Sequence, residues 1–209
     1  MLRNATPSSP VAALPSPLHV PEGTVVGHCL LVSINVVEQA IDFLSTLTDD
    51  SQMAFPSQSL PGGTIGKHIR HAVEHYNLLL KAVSEGPAGG PHVLSYDVRS
   101  RNTPMETSSR LARDELENVI KQLQSTLSTV PLEDSITLHA VTPFPAVMQT
   151  TFGREAWFCA LHAIHHWSMI RAIAMEQGIT CDSSFGVAPS TLAFRGQSST
   201  ATGTEKLKI

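Results

Sequence analysis

The 209-residue chain has little charge, few aromatic side chains and few cysteines. Charged residues make up 15% and aromatic residues 5%, whereas 42% of the residues are hydrophobic. The formal net charge is -4, and no block of basic residues occurs. Nucleic acids and anionic membranes both require a concentrated positive patch, so we expect neither as a partner.

The three cysteines, Cys29, Cys159 and Cys181, are odd in number and show no CxxC spacing. This pattern argues against a disulfide framework and favours a reducing compartment. No apolar run approaches the ~20 residues of a membrane span. Residues 1–22 are rich in Pro and Ser and lack the apolar centre of a signal peptide. We therefore expect a cytoplasmic protein without a membrane segment.

The apolar periodicity predicts a mostly helical domain. There is no βαβ alternation and no glycine-rich phosphate loop, which argues against a nucleotide-binding fold. Four long helices are predicted from apolar stripes and cap residues, at about 24–47, 64–84, 104–130 and 153–177. A short β-hairpin, 135–141 and 146–152, is predicted before the last helix. The expected fold is an all-α four-helix bundle over 23–195, with disordered tails at 1–22 and 196–209.

Six of the ten histidines lie in two short segments on different predicted helices. His162 and His166 stand at i and i+4 and project from one helix face, which is a metal-ligand spacing. His68, His71 and His75 stand at i, i+3 and i+7 on the second helix. If the two helices face each other, three histidines could hold Zn²⁺, Ni²⁺, Co²⁺ or Fe²⁺ and leave a position open. A buried hydrogen-bonded histidine network is the alternative.

Two arginines lie in the polar linker that precedes the third predicted helix. In an extended backbone, Asp97, Arg99 and Arg101 would point to one side. Arg99 and Arg101 are therefore candidates to bind a substrate carboxylate, because guanidinium groups match carboxylates. Surface ion pairs with Asp97 and Glu106 are the alternative.

The two histidine segments, TIGKHIRH at 64–71 and HAIHH at 162–166, resemble those of the DinB/YfiT-like family. That resemblance implies a four-helix bundle holding a divalent metal with one histidine from the second helix and two from the last. The implied ligands are His71, His162 and His166. His68 or His75, which lie on the same helix, could replace His71 if the helix were rotated, and His75 is the stronger of these two alternatives.

The resemblance also implies a broad class of function. Relatives include S-transferases that use a thiol cofactor and a thiol-dependent maleylpyruvate isomerase. We therefore expect a metal-dependent transferase or isomerase that acts on a small molecule with a low-molecular-weight thiol. His68 or His75 would transfer protons, and Arg99 or Arg101 would anchor an anionic substrate. A metal-dependent hydrolase and a non-enzymatic bundle remain alternatives, and a homodimer through the first helix is plausible.

Overall fold

The structure is a computed structural model that describes residues 24–98, 100–192 and 194. The two expected tails and Arg99 lie outside the described residues. The helices and strands follow in chain order: α1 (Val25–Leu44), α2 (Ser51–Ala54), α3 (Ile65–Glu85), β1 (His92–Leu94), a 3₁₀ turn (Pro104–Glu106), α4 (Ser109–Leu127), β2 (Ser135–Ala140), β3 (Ala146–Thr151) and α5 (Phe152–Glu176).

Threonine caps fix the starts of three of the long helices. The hydroxyls of Thr24, Thr64 and Thr151 each accept a hydrogen bond from the backbone N–H three residues further along. Each hydroxyl satisfies one of the N–H groups that a helix start leaves unpaired. Gly178 follows the end of α5 with φ of +71°, a conformation that glycine adopts at little cost. These boundaries agree with the predicted ones.

The long helices pack side by side around one apolar core. α1 contacts α4 and α5, and α3 contacts the same two helices. The indole of Trp167 is fully buried at the centre, where its N–H donates a 2.8 Å hydrogen bond to the carbonyl of Val36. The described part of the protein is thus mostly helical, as the sequence predicts, with α3 and α5 adjacent.

Helix α1 is, by length and composition alone, apolar enough to cross a membrane. Its most apolar window has a mean hydropathy of 1.3, and a third of that window is buried. The sequence predicts no continuous apolar run of this length, and α1 meets the criterion as a helix in which polar residues interrupt the apolar ones. In this fold the helix packs against α4 and α5, and an ordinary core helix meets the same criterion.

A three-stranded sheet accompanies the helices. β2 and β3 pair antiparallel, with Ser135 opposite Thr151 and Ala140 opposite Ala146. β1 joins β2 in parallel, with His92 opposite Ile136, and this strand was not predicted because three residues carry no readable alternation. β1 contacts α3 and β3 contacts α5, so the sheet lies against the two helices that carry the histidine segments.

The helix predicted to start at Pro104 starts later, at Ser109. Residues Pro104–Glu106 form a separate 3₁₀ turn. The Glu106 carboxylate accepts a hydrogen bond from the Thr103 backbone and pairs with Arg70 Nε at 2.8 Å. A Cβ atom added to Gly66 would lie 1.9 Å from the Glu106 carbonyl oxygen. The turn is therefore held tightly against α3, and the chain cannot continue straight into α4.

Candidate metal centre

Helices α3 and α5 bring three histidines from the two sequence segments together. One ring nitrogen from each of His71, His162 and His166 lies within 4.8 Å of the other two. His71 comes from α3, and the other two residues come from successive turns of α5. The Nε2 atoms of His162 and His166 are 3.1 Å apart. We refer to His71, His162 and His166 as the histidine cluster.

The cluster fits a divalent ion held by imidazoles. Two nitrogens bound to one tetrahedral ion at about 2.0–2.1 Å are separated by about 3.3 Å. The 3.1 Å between His162 and His166 is close to that separation. The ring centroid of His71 lies 5.2 Å from that of His162 and 4.7 Å from that of His166. Three imidazole donors suit Zn²⁺ and its neighbours in the first transition row.

Burial keeps the two α5 histidines unprotonated. Desolvation, followed by the charges of the nearby His162, His71, His68 and His165 rings, lowers the pKa of His166 to about 2. Desolvation, followed by the charges of His75 and His165, lowers the pKa of His162 to about 4. At neutral pH both rings therefore carry the lone pair that a metal ligand must offer.

His68 contacts the histidine cluster through the ring of His166. Its Nδ1 lies 2.9 Å from Nδ1 of His166. If His166 offers its Nε2 lone pair to an ion, its proton must be on Nδ1, and that N–H donates to His68. His68 then carries its own proton on Nε2, a buried atom with no hydrogen-bond partner among the described residues. His68 is thus placed to orient His166, in the way that supporting groups orient metal-binding histidines.

His75 lies beside the cluster and is buried. Its Nδ1 donates a 2.9 Å hydrogen bond to the carbonyl of His71, so the neutral ring carries its lone pair on Nε2. Its ring stacks on Tyr96 with centroids 4.7 Å apart and lies 4.2 Å from the ring of His162. Although the His75 ring is this close to His162, the three nitrogens within 4.8 Å of one another come from His71, His162 and His166.

A cavity of about 290 Å³ opens next to the cluster. It is bounded by three histidines of α3 and α5 and by residues of the sheet and its connections: His71, His75, His162, Tyr96, Asp97, Leu138, His139, Ala140 and Thr142. The Asp97 carboxylate accepts hydrogen bonds from the Val141 backbone at 2.7 Å and the Thr142 hydroxyl at 2.6 Å. Asp97 therefore ties the linker to the β2–β3 connection and shapes one wall.

His139 lies outside the two histidine segments of the sequence, and it also lines this cavity. Its position on β2 follows from strand pairing across the sheet, and no local spacing relates it to the other histidines. Tyr96 was likewise not singled out, although its ring supports His75.

The predicted residue Arg101 and two further residues, His165 and Cys159 of α5, lie in different settings. Arg101 is exposed and does not line the cavity beside the cluster, and Arg99 lies outside the described residues. Their role in substrate binding stays a prediction. His165 is exposed, with its ring centroid 5.3 Å from that of His166. Cys159 is buried, and desolvation raises its pKa to about 12, so it remains a neutral thiol.

Comparisons with known proteins agree with this architecture. Residues 34–170 match the model of the DinB superfamily. The chain is 33% identical over 168 residues to FK506-binding protein 5 of Rhizopus delemar, a match that covers 78% of this chain and 37% of that protein. The chain therefore spans little more than a third of that relative's length. No solved structure matches the chain. Since the family model matches more than half of the sequence, the chain belongs to the DinB superfamily.

Proposed function

We propose that this protein is a divalent-metal-dependent enzyme built on a four-helix bundle of the DinB type. Its reaction is a transfer or isomerisation that activates a small thiol or a water molecule. The observation that carries the proposal is the histidine cluster, whose three nitrogens lie within 4.8 Å of one another and two of whose members, His71 and His162, line a cavity. Three protein ligands leave room for a further ligand, which is typical of catalytic rather than structural metal sites.

The proposed ligands are His71, His162 and His166. All three are neutral donors, so a divalent ion in the site would keep its full charge. Such an ion, which can be Zn²⁺, Ni²⁺, Co²⁺ or Fe²⁺, would supply a Lewis acid that lowers the pKa of a bound water or thiol. The neighbouring histidines and the protein walls then determine where the proton goes and which substrate fits.

His75 is the proposed proton acceptor. It lines the cavity, and its hydrogen bond to the His71 carbonyl leaves the lone pair on Nε2 in the neutral ring. Stacking on Tyr96 holds the ring in place. His68 does not line the cavity and contacts His166 instead, so its position supports orienting a ligand over exchanging protons with a substrate.

Two other functions have specific support. A hydrolase would use the same three ligands with His75 as general base, and the cavity would hold its substrate. A non-enzymatic role is supported by the chain of ring contacts from His68 through His166 to His162, at 2.9 and 3.1 Å, which can persist without an ion. The three free cysteines favour a reducing compartment such as the cytoplasm for all three functions.

Metal analysis of protein purified without an affinity tag tests the proposal first. We expect close to one equivalent of a divalent transition metal, and a content far below one equivalent would favour the non-enzymatic role. Conjugation of glutathione to a panel of electrophiles then separates the transferase from the hydrolase. Ester or amide hydrolysis without any thiol dependence would favour the hydrolase.

A further inference from the structure

A second cavity, of about 390 Å³, adjoins the one beside the histidine cluster. Both cavities are lined by Tyr96 and Leu138, so these two side chains form their common boundary. The second cavity has an apolar part that includes Met148 and Phe158. Its polar end contains Arg154, which the sequence analysis did not single out.

Arg154, Phe158 and His162 form a continuous row on one face of α5. They stand four residues apart, so they project from the same side of the helix. The guanidinium carbon of Arg154 lies 5.7 Å from the ring centroid of Phe158. The ring of Phe158 in turn stacks on His162, with centroids 5.4 Å apart. At ~1.5 Å per residue, the row spans about 12 Å along the helix axis.

The charges at the polar end favour a single negative charge on the ligand. Glu155 is buried, and its carboxylate already accepts hydrogen bonds from the hydroxyls of Tyr96 at 3.1 Å and Thr150 at 2.9 Å. The side chain of Arg154 is 61% exposed, and its contact with Glu155 is long, at 3.8 Å. The guanidinium therefore has N–H groups available for a ligand. The nearby Glu155 charge disfavours a doubly charged phosphate relative to a carboxylate.

We infer that Arg154 anchors the carboxylate of an elongated substrate or co-substrate whose reactive end lies at the histidine cluster. The central part of that molecule is apolar and lies against Phe158 and Met148. The distance from Arg154 to His162 along α5 determines the length of the ligand, so its carboxylate and its reactive atom are separated by about 12 Å or slightly less. This inference rests on the proposed function, because the cluster defines the reactive end.

Binding of ω-mercaptoalkanoates to the full-length, Zn²⁺-loaded protein tests the inference. Calorimetry with chains from mercaptopropionate to mercaptoundecanoate should give the tightest binding near mercaptooctanoate. In Arg154→Gln, the affinity for mercaptooctanoate should fall about tenfold, as expected for loss of a charge-assisted hydrogen bond at a partly exposed site. The affinity for uncharged mercaptooctanol should be the same as in the parent.

Arg110→Gln is the matched control, because Arg110 is an exposed helix arginine that pairs with Asp114 away from the cavities. Unchanged mercaptooctanoate binding in Arg154→Gln would overturn the inference. A loss in Arg101→Gln instead would also overturn it and assign the carboxylate to Arg101. If the parent takes up none of Zn²⁺, Ni²⁺, Co²⁺ and Fe²⁺, the proposed function fails, but octanoate binding to the metal-free parent and to Arg154→Gln still decides the role of Arg154.

Discussion

Replacing His71 by alanine should abolish most of the stabilisation that a bound divalent metal gives the protein. The change leaves His162 and His166 on α5, with their Nε2 atoms 3.1 Å apart, and removes the nitrogen that α3 contributes. Two nitrogens from one helix hold an ion without linking it to the rest of the fold. The metal would then no longer stabilise the contact between α3 and α5.

The expected size of the metal-induced stabilisation follows from mass action. At a metal concentration of 100 times Kd, binding stabilises the parent by about 2.7 kcal/mol. For a chain of this length, that raises Tm by roughly 5–11 °C, at roughly 2–4 °C per kcal/mol. Losing a group that merely supports a ligand already weakens metal binding 10–100-fold. If losing His71 costs about 100-fold, the same metal concentration stabilises the variant by only about 0.4 kcal/mol, or roughly 1–2 °C.

The measurement is the metal-induced change in Tm, by calorimetry with Zn²⁺, in three proteins. The His75→Ala variant is the matched control, because His75 is buried next to the cluster but lies outside the three-nitrogen group. This variant loses the stacking on Tyr96, so its metal-free Tm falls, but its metal-induced increase should match that of the parent. Retention of the increase in His71→Ala and its loss in His75→Ala would refute the assignment of the third ligand.

Three further predictions follow from the same packing. Gly66→Ala should lower the free energy of unfolding, measured in urea, by about 2–3 kcal/mol, because the new Cβ would lie 1.9 Å from the Glu106 carbonyl oxygen. An increase in that free energy, which is usual when alanine replaces glycine in a helix, would contradict this close approach. His68→Leu should weaken Zn²⁺ binding 10–100-fold in a chelator competition, and unchanged affinity would remove its orienting role. The lowered pKa values of His162 and His166 mean that the unfolded chain binds protons which the folded chain excludes. In an acid titration of the metal-free protein, the free energy of unfolding should therefore fall from about pH 6.5 towards pH 4. The decrease should be at most about 1.4 kcal/mol per pH unit for each histidine, and less where solvent screens the charge. A constant free energy of unfolding over that pH range would contradict the burial of the two rings.

The helix boundaries were readable from the sequence because local chemistry determines them. Thr24, Thr64 and Thr151 each cap a helix by accepting a hydrogen bond from the backbone N–H three residues later in the chain. Such a short-range pattern can be recognised in the sequence. The turn at Pro104–Glu106 is different. Its end depends on Arg70, more than thirty residues earlier, and on the close approach to Gly66. Cap and proline signals alone therefore placed the start of α4 too early.

The pair on α5 could be predicted from its spacing, whereas the choice on α3 could not be derived from spacing alone. His68, His71 and His75 lie within about 60° of one another around the helix, so all three share one face. Which of them meets α5 depends on how the apolar side of α3 rotates the helix against the core. His139 and Asp97 reach the cavity through the pairing of β1, β2 and β3, which no local pattern records.

β3 is followed directly by α5, so an inserted or deleted residue at this junction would change how the strand and the helix are oriented. Thr151 is both the last residue of β3 and the cap of α5. One inserted residue there would either turn His162 and His166 by about 100° away from α3 or shift β3 so that its side chains exchange faces. The far end of the hairpin, at 143–145, has no such constraint. An insertion at 143–145 would therefore leave the orientation of His162 and His166 on α5 unchanged.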